Sequence, residues 1–349
     1  MSPPSGSNAL ASDLRRVTFL VDPSMYERRN AFPREVYGDL DRVVRPDLHY
    51  HYSGPICAHR WLNVCEDPAY GHTQLLDGVD RALPDVIEAM RLDSGGLSRI
   101  NLASLGPGDG SLDARMLRML DAEMTVESYC GLDFSIELLR RTVHRIASAE
   151  GLHHEFPVTA ICGDFTELEV TLPDFTPGAL RLFTLTGLTL GNYNESELLT
   201  QVGKLMRDGD YLFIDGRLHT LGVNPDGISL APLKREEILR SYDLLSVKEF
   251  VFAPAEVATF ATSSDVKIEY DITSAVTSVP NALNVVIYCT GLRTTMRLTG
   301  KPVERDRLDL AVTTMYNYSD LASWFGTVGF STVWNSDADG IAMFLLRKH

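Results

Sequence analysis

Three glycines at alternate positions, Gly106, Gly108 and Gly110 in "SLGPGDGSLDARML", stand at the entrance to a helix-like stretch. Glycine lets backbone approach a ligand closely, and the start of a helix offers unpaired N–H groups. Two more stretches further on carry residues suited to the same work. "GLDFS" holds Asp133 and Ser135, and "CGDFTEL" holds Gly163, Asp164 and Phe165. A carboxylate in the first can accept both hydroxyls of a ribose. One in the second can accept the amino hydrogens of an adenine whose face lies on Phe165. Each aspartate could instead cap the helix that follows it.

The elements that must position these residues are visible as alternating patterns. "SRINLASLG", "SYCGLDFS", "PVTAICGDF", "ALRLFTLTGLTLGN" and "DYLFIDGRL" are short apolar runs. Between them lie stretches with helical spacing, among them "SLDARMLRMLDAEM", "SIELLRRTVHRIASAEG" and "SELLTQVGKLMRDG". Such alternation predicts repeated β-α units, an α/β fold with a parallel sheet covered on both faces. Residues 220 to 315 read differently, with a helix-like piece followed by β-like runs, so an insertion is expected to split the α/β unit. The tail returns to the first pattern: a helix closed by Gly329, then two strands around a turn at "SDADG".

Spacing separates the cofactors that could use the glycines. Dinucleotide sites use GxGxxG, and the position that would complete it here is Ser111. The observed GxGxG weighs against NAD and toward S-adenosylmethionine, which has no pyrophosphate. Asp109 in the loop and Thr186 at the end of the fourth run complete the residues expected to border it.

The 349 residues carry 32 Lys and Arg against 47 Asp and Glu, a formal charge of −15. That balance argues against nucleic acid, whose affinity rests on basic contacts to phosphate, and against an anionic membrane surface. Apolar residues make up 44%, enough for a sizeable core. The five cysteines, Cys57, Cys65, Cys130, Cys162 and Cys289, are scattered and form no CxxC, so neither a disulfide framework nor a zinc site is expected. His49, His51 and His59 beside two of those cysteines match no metal-ligand spacing, and no metal is expected. The start of the chain lacks the apolar core of a signal peptide, and no run approaches the roughly 18 apolar residues of a membrane span. A cytoplasmic protein is the expectation.

The stretch "LFTLTGLTLGNYNESELLTQVGKLMRDGDYLFID" resembles the histidine-specific methyltransferase family, the ergothioneine-pathway histidine Nα-methyltransferases and their relatives. The family has Gly-Asn-Phe where this chain has Gly191, Asn192 and Tyr193. The resemblance implies that Asn192 holds the amino and carboxyl groups of an amino-acid substrate. "DPAYGHT" is similar to a family stretch that places Tyr70 at a substrate-facing tyrosine, and "HYHYS" to one that places Tyr52 at a second. The C-terminal helix and hairpin also match, so the resemblance runs over roughly residues 40–349, most weakly in 220–312. Tyr52, Tyr70 and Asn192 are then the implied catalytic residues, orienting an amine and receiving its proton directly or through water.

Three departures matter. The family has an acid two residues before the first loop glycine; this chain has Ser104. An aspartate after the first tyrosine is Ser53 here. An acid and a serine that read histidine stand where this chain has Thr313 and Met315, so free histidine is not the expected substrate. The implied fold is a class I methyltransferase with a Rossmann-like domain over 75–218 and 316–349. A substrate-binding lobe is expected from 13–74 and 219–315, and residues 1–12 form a mobile N-terminus. The expected activity is S-adenosylmethionine-dependent N-methylation of an amino acid or amino-acid-derived small molecule, with S-adenosylhomocysteine as product. O- or C-methylation of a specialised metabolite, an NAD enzyme and a non-catalytic S-adenosylmethionine-binding module are the rivals.

Overall fold

The computed structural model describes residues 17–23, 25, 48–152, 155–167, 171–219 and 232–349. The expected mobile N-terminus, 1–12, lies outside the described residues. The Rossmann-like body is an eight-stranded sheet. Its strands are β1 (Val17–Val21), β2 (Arg99–Leu105), β3 (Thr125–Asp133), β4 (Val158–Cys162), β5 (Leu180–Leu185), β6 (Tyr211–Arg217), β10 (Phe330–Ala338) and β11 (Ile341–Lys348), in the order β1-β4-β3-β2-β5-β6-β11-β10. The six strands β1 to β6 run parallel, and β11 joins antiparallel to β6 and to β10. The end hairpin turns at Asp339 and Gly340, as the "SDADG" signal predicts.

Helices cover both faces, which is why the central strands β2, β5, β6 and β11 are buried at nearly every position rather than every second one. On β2, Ile100 and Leu102 join one core with α2 (His72–Asp93) and α3 (Ser111–Glu123), through Leu83, Met90, Leu117 and Leu120. Ala103 and Leu105 join the other, with α5 (Glu195–Leu205) and α8 (Tyr318–Phe325), through Leu198 and Phe325. β11 divides the same way: Met343 and Leu345 on one side, Ala342, Phe344 and Leu346 on the other. The remaining sheet helix, α4 (Ile136–Ala147), starts at Ser135, whose hydroxyl accepts from the Leu138 N–H.

The inserted segment builds its own antiparallel sheet, β7 (Lys267–Ser274), β8 (Leu283–Thr295) and β9 (Pro302–Met315), in the order β7-β8-β9. It packs with α7 (Leu245–Ala258) in a third core that includes Val64 of α1 (Gly54–Glu66). Arg60 of α1 donates to Glu249 of α7 at 2.6 Å, so the N-terminal helix and the insertion are joined. One expectation is corrected. The segment 13–74 was assigned whole to the substrate-binding lobe, yet β1 pairs residue for residue with β4 in the large sheet. Edge strand β4 otherwise presents unpaired backbone groups, and a short apolar segment satisfies them.

β2 is the switch point of the sheet. The chain leaves it toward β3 on one side, and β5 lies on the other. Loops at the carboxyl ends of β2 and β5 therefore diverge and leave a crevice between them.

Candidate active site

The loop after β2 is shaped by its glycines. Gly106, Gly108 and Gly110 have φ of +74°, +58° and +75°, the left-handed region. The Gly108 N–H donates to Asp133 Oδ2 at 3.2 Å and its carbonyl accepts from Thr142 Oγ1 at 2.8 Å. Asp133, at the end of β3, also accepts from the Ser135 N–H at 2.8 Å. It is thus both a clamp on the loop and a carboxylate facing the crevice. Burial pushes its pKa up to about 6, against the pull of those two N–H donors.

A cavity opens above this loop, with about 850 Å³ of space counting its open mouth. Of the residues expected to border the cofactor, Gly106, Gly108, Asp109, Asp133, Phe165 and Thr186 line it, and Asn192, expected at the substrate, lines it too. Gly110, Ser135, Gly163 and Asp164 stand behind the lining. Asp109 is engaged by Ser111 and by Arg145, whose guanidinium reaches its carboxylate at 2.9 Å. Asp164 accepts from the Thr166 N–H and hydroxyl at 2.8 and 2.6 Å. Its other oxygen lies 3.3 Å from His49 Nε2, and His49 rather than Asp164 reaches the cavity, its ring 4.8 Å from that of Phe134.

The cavity contains an acid the sequence reading did not single out. Asp113, in the first turn of α3, is 2% exposed and lines the wall. Tyr129 donates to it at 3.1 Å, and Ser104 shares a hydrogen bond with it. Gly131 makes this possible: a Cβ there would sit 2.8 Å from the Tyr129 hydroxyl. Burial also raises Asp113 to about 6. A carboxylate from the helix therefore stands beside Ser104 and shares a hydrogen bond with it.

Asn192 comes from the turn after β5. Asp215 of β6 accepts from the Gly187 and Leu188 N–H groups at 2.9 and 2.7 Å, and Leu188 is held at φ +63°. Gly191 lets the turn press on β9, since a Cβ would meet the Thr314 carbonyl at 2.5 Å. Asn192 lines the loop cavity and also a second, aromatic cavity of about 730 Å³. Tyr52, Trp61 and Gly187 border both, so the two cavities adjoin.

The aromatic cavity is walled by Tyr52, Trp61, Tyr70, Tyr242 and Phe250, with Thr313 on the β9 side. Trp61 lies 5.4, 6.1 and 5.1 Å from the rings of Tyr52, Tyr70 and Phe250. Burial raises the Tyr70 hydroxyl to about 12 and Tyr52 well above its ordinary value, so both are neutral phenols near pH 7. Met315 is corrected: it joins the third core and borders an outer groove, not this cavity. Trp61, Phe250, Tyr242 and Arg217 were not anticipated. Only Arg217 left a signal, a charge at the end of an apolar run.

The histidines and cysteines of the N-terminal segment do not converge. Among the described residues no group of three or more His, Cys, Asp or Glu is placed to hold a metal.

The loop cavity fits a cationic nucleoside. Asp113 and Asp133 face it, and among the described residues no Lys or Arg lines it. A dinucleotide's pyrophosphate would meet carboxylates there, whereas a sulfonium and an ammonium would be attracted.

No known protein-family profile matches the chain. Over 191 residues, 53% of this chain and 54% of the relative, it is 25% identical to a histidine N-alpha-methyltransferase of Mycobacterium tuberculosis. The chain spans about half the length of that curated relative. An O-methyltransferase family 2 protein from Planctomyces limnophilus, solved with apigenin, is 13% identical with a TM-score of 0.37, over 71% of this chain and 50% of its own. A 1,6-didemethyltoxoflavin-N1-methyltransferase from Burkholderia thailandensis, solved with 1,6-didemethyltoxoflavin and S-adenosylhomocysteine, is 10% identical with a TM-score of 0.36, over 83% and 90%. Likeness this remote says nothing of the acceptor.

Proposed function

We propose that this chain is an S-adenosylmethionine-dependent methyltransferase that methylates the nitrogen of an amino acid or amino-acid-derived amine other than free histidine. The observation that carries the reading is the pair of adjoining cavities, one lined by Asp113 and Asp133 with no Lys or Arg among the described residues, the other aromatic, with Asn192 on both. The glycine loop and the two aspartates would hold the methyl donor, whose sulfonium methyl is already activated for transfer. Asn192 can donate to one acceptor group and accept from another, fixing the amine's orientation. The aromatic wall excludes water and, like the Arg217 cation in the same cavity, disfavours the ammonium form, leaving the neutral amine that transfer needs. With Thr313 in place of an acid, nothing on that wall matches an imidazolium.

The test is turnover with labelled methyl donor on a panel of amino acids, amines, phenols and carbon acids, read by mass. Methyl label on amines but not on free histidine is the expected result. Label on hydroxyl or carbon acceptors alone would replace N- with O- or C-methylation. Tight S-adenosylhomocysteine binding with no turnover on any member would mark a binding module, and NADH binding without it would overturn the cofactor assignment.

A pH dependence follows from the two buried acids. Both sit near 6, and protonation removes the negative charge that attracts an ammonium and turns one acceptor oxygen of each into a donor. S-Adenosylhomocysteine affinity is expected to fall as pH drops below 6. The slope of log Kd against pH should approach about −2 in the native chain and about −1 in Asp113→Asn. Calorimetric titration from pH 7.5 to 5 checks it; a pH-independent Kd would remove both aspartates from the site.

A further inference from the structure

The two cavities differ in charge. Among the described residues the aromatic cavity has no aspartate or glutamate on its wall and one guanidinium, Arg217. In a chain with 47 acids to 32 basic residues, that pairing runs against composition. Arg60, Arg115, Arg145, Arg181 and Arg307 each have a carboxylate within ion-pair distance. Among the described residues Arg217 has none.

Its contacts are neutral. One amino group donates to Ser241 Oγ at 2.6 Å, and Tyr242 both hydrogen-bonds to it and presents its ring 5.2 Å from Cζ. A guanidinium has five donors, and neighbouring hydroxyls neutralise no charge. Burial holds the Tyr70 phenol at about 12, so no phenolate compensates it near pH 7. A half-buried cation without a counter-ion is costly to the protein unless a ligand brings one.

Its place says where that ligand charge would lie. Arg217 ends β6 and borders the aromatic cavity and the outer groove, but not the loop cavity. Asn192, by contrast, faces the methyl donor's side.

We propose that Arg217 is a specificity-determining residue that selects acceptors carrying a carboxylate at the end away from the methyl donor, joined to the reacting end by an apolar, aromatic-compatible body. This rests on the methyltransferase reading for what it calls the reacting end. A planar guanidinium matches a carboxylate through two parallel bonds, and an amide of the same shape cannot supply that charge.

The probes are 3-phenylpropionate and 3-phenylpropionamide, titrated calorimetrically into the full chain with and without saturating S-adenosylhomocysteine. The native chain should bind the acid about 10- to 100-fold more tightly than the amide. Arg217→Gln should bring the two within about threefold, and Arg217→Lys should keep part of the preference. Unchanged S-adenosylhomocysteine affinity in both variants reports that they fold. Equal binding of acid and amide by the native chain, binding of neither, or a preference that survives in Arg217→Gln would each overturn the assignment. Loss of S-adenosylhomocysteine binding with the acid preference intact would instead sink the methyltransferase reading alone.

Discussion

Asn192→Ala is expected to lower methyl-transfer turnover by about 100-fold or more, while S-adenosylhomocysteine affinity changes far less. Four residues border both cavities: Tyr52, Trp61, Gly187 and Asn192. Of these, only Asn192 carries an amide that can donate and accept at once. Losing it frees the acceptor to rotate, and a misplacement of about 1 Å in such a reaction costs on the order of 100-fold. The fold has committed much to placing this one side chain. Leu188 occupies a backbone region that non-glycine residues avoid, and Asp215, buried and raised to about 7, holds the turn by two N–H groups. Strain retained beside a cavity is the pattern of a functional turn. Steady-state kinetics on the amine found by the panel decide the matter, and turnover within twofold of native would remove Asn192 from the reaction.

How far the sequence carried this reading depends on whether a residue's neighbours are close in the chain. Asp133 and the glycine loop were legible because each closes a short apolar run, and the carboxyl ends of parallel strands share one edge of the sheet. β11 was legible as a strand because its two covered faces leave an unbroken apolar run after the turn. Trp61 and Phe250 meet only because α1 and α7 pack together across almost 190 residues of chain, and no local pattern announces that. Asp113 looked like one more acid on an amphipathic helix. Its role depends on Tyr129, which lies over Gly131 of its own strand and donates from that strand to Asp113 on the helix. β9 shows no steady alternation along its length. Its buried positions pass from Val303 to Leu308 and Leu310, so the two-residue period breaks in mid-strand.

The loop's own geometry supports the second large effect. Gly110→Ala is expected to destabilise the chain by roughly 2–5 kcal/mol and to weaken S-adenosylhomocysteine binding at least tenfold. Two costs add. A left-handed φ, here +75°, disfavours any L side chain by about 1–2 kcal/mol. The added Cβ would also sit 2.6 Å from the Thr142 Cα, an overpacking of about 1–3 kcal/mol. Because the nearest atom is backbone, trimming the neighbour cannot relieve it: Thr142→Ala should not rescue the variant. The way out is for loop and α4 to separate, which loosens the Thr142 bond to the Gly108 carbonyl and the Gly108 bond to Asp133. Gly300→Ala is the control, since Gly300 has φ +66° but nothing within 4 Å of a Cβ. It should show the backbone cost alone and leave the ligand's affinity unchanged. Thermal unfolding of both variants, with and without S-adenosylhomocysteine, separates the two costs. Equal melting temperatures for Gly110→Ala and Gly300→Ala would mean that contact between α4 and the loop does not hold the cradle in shape.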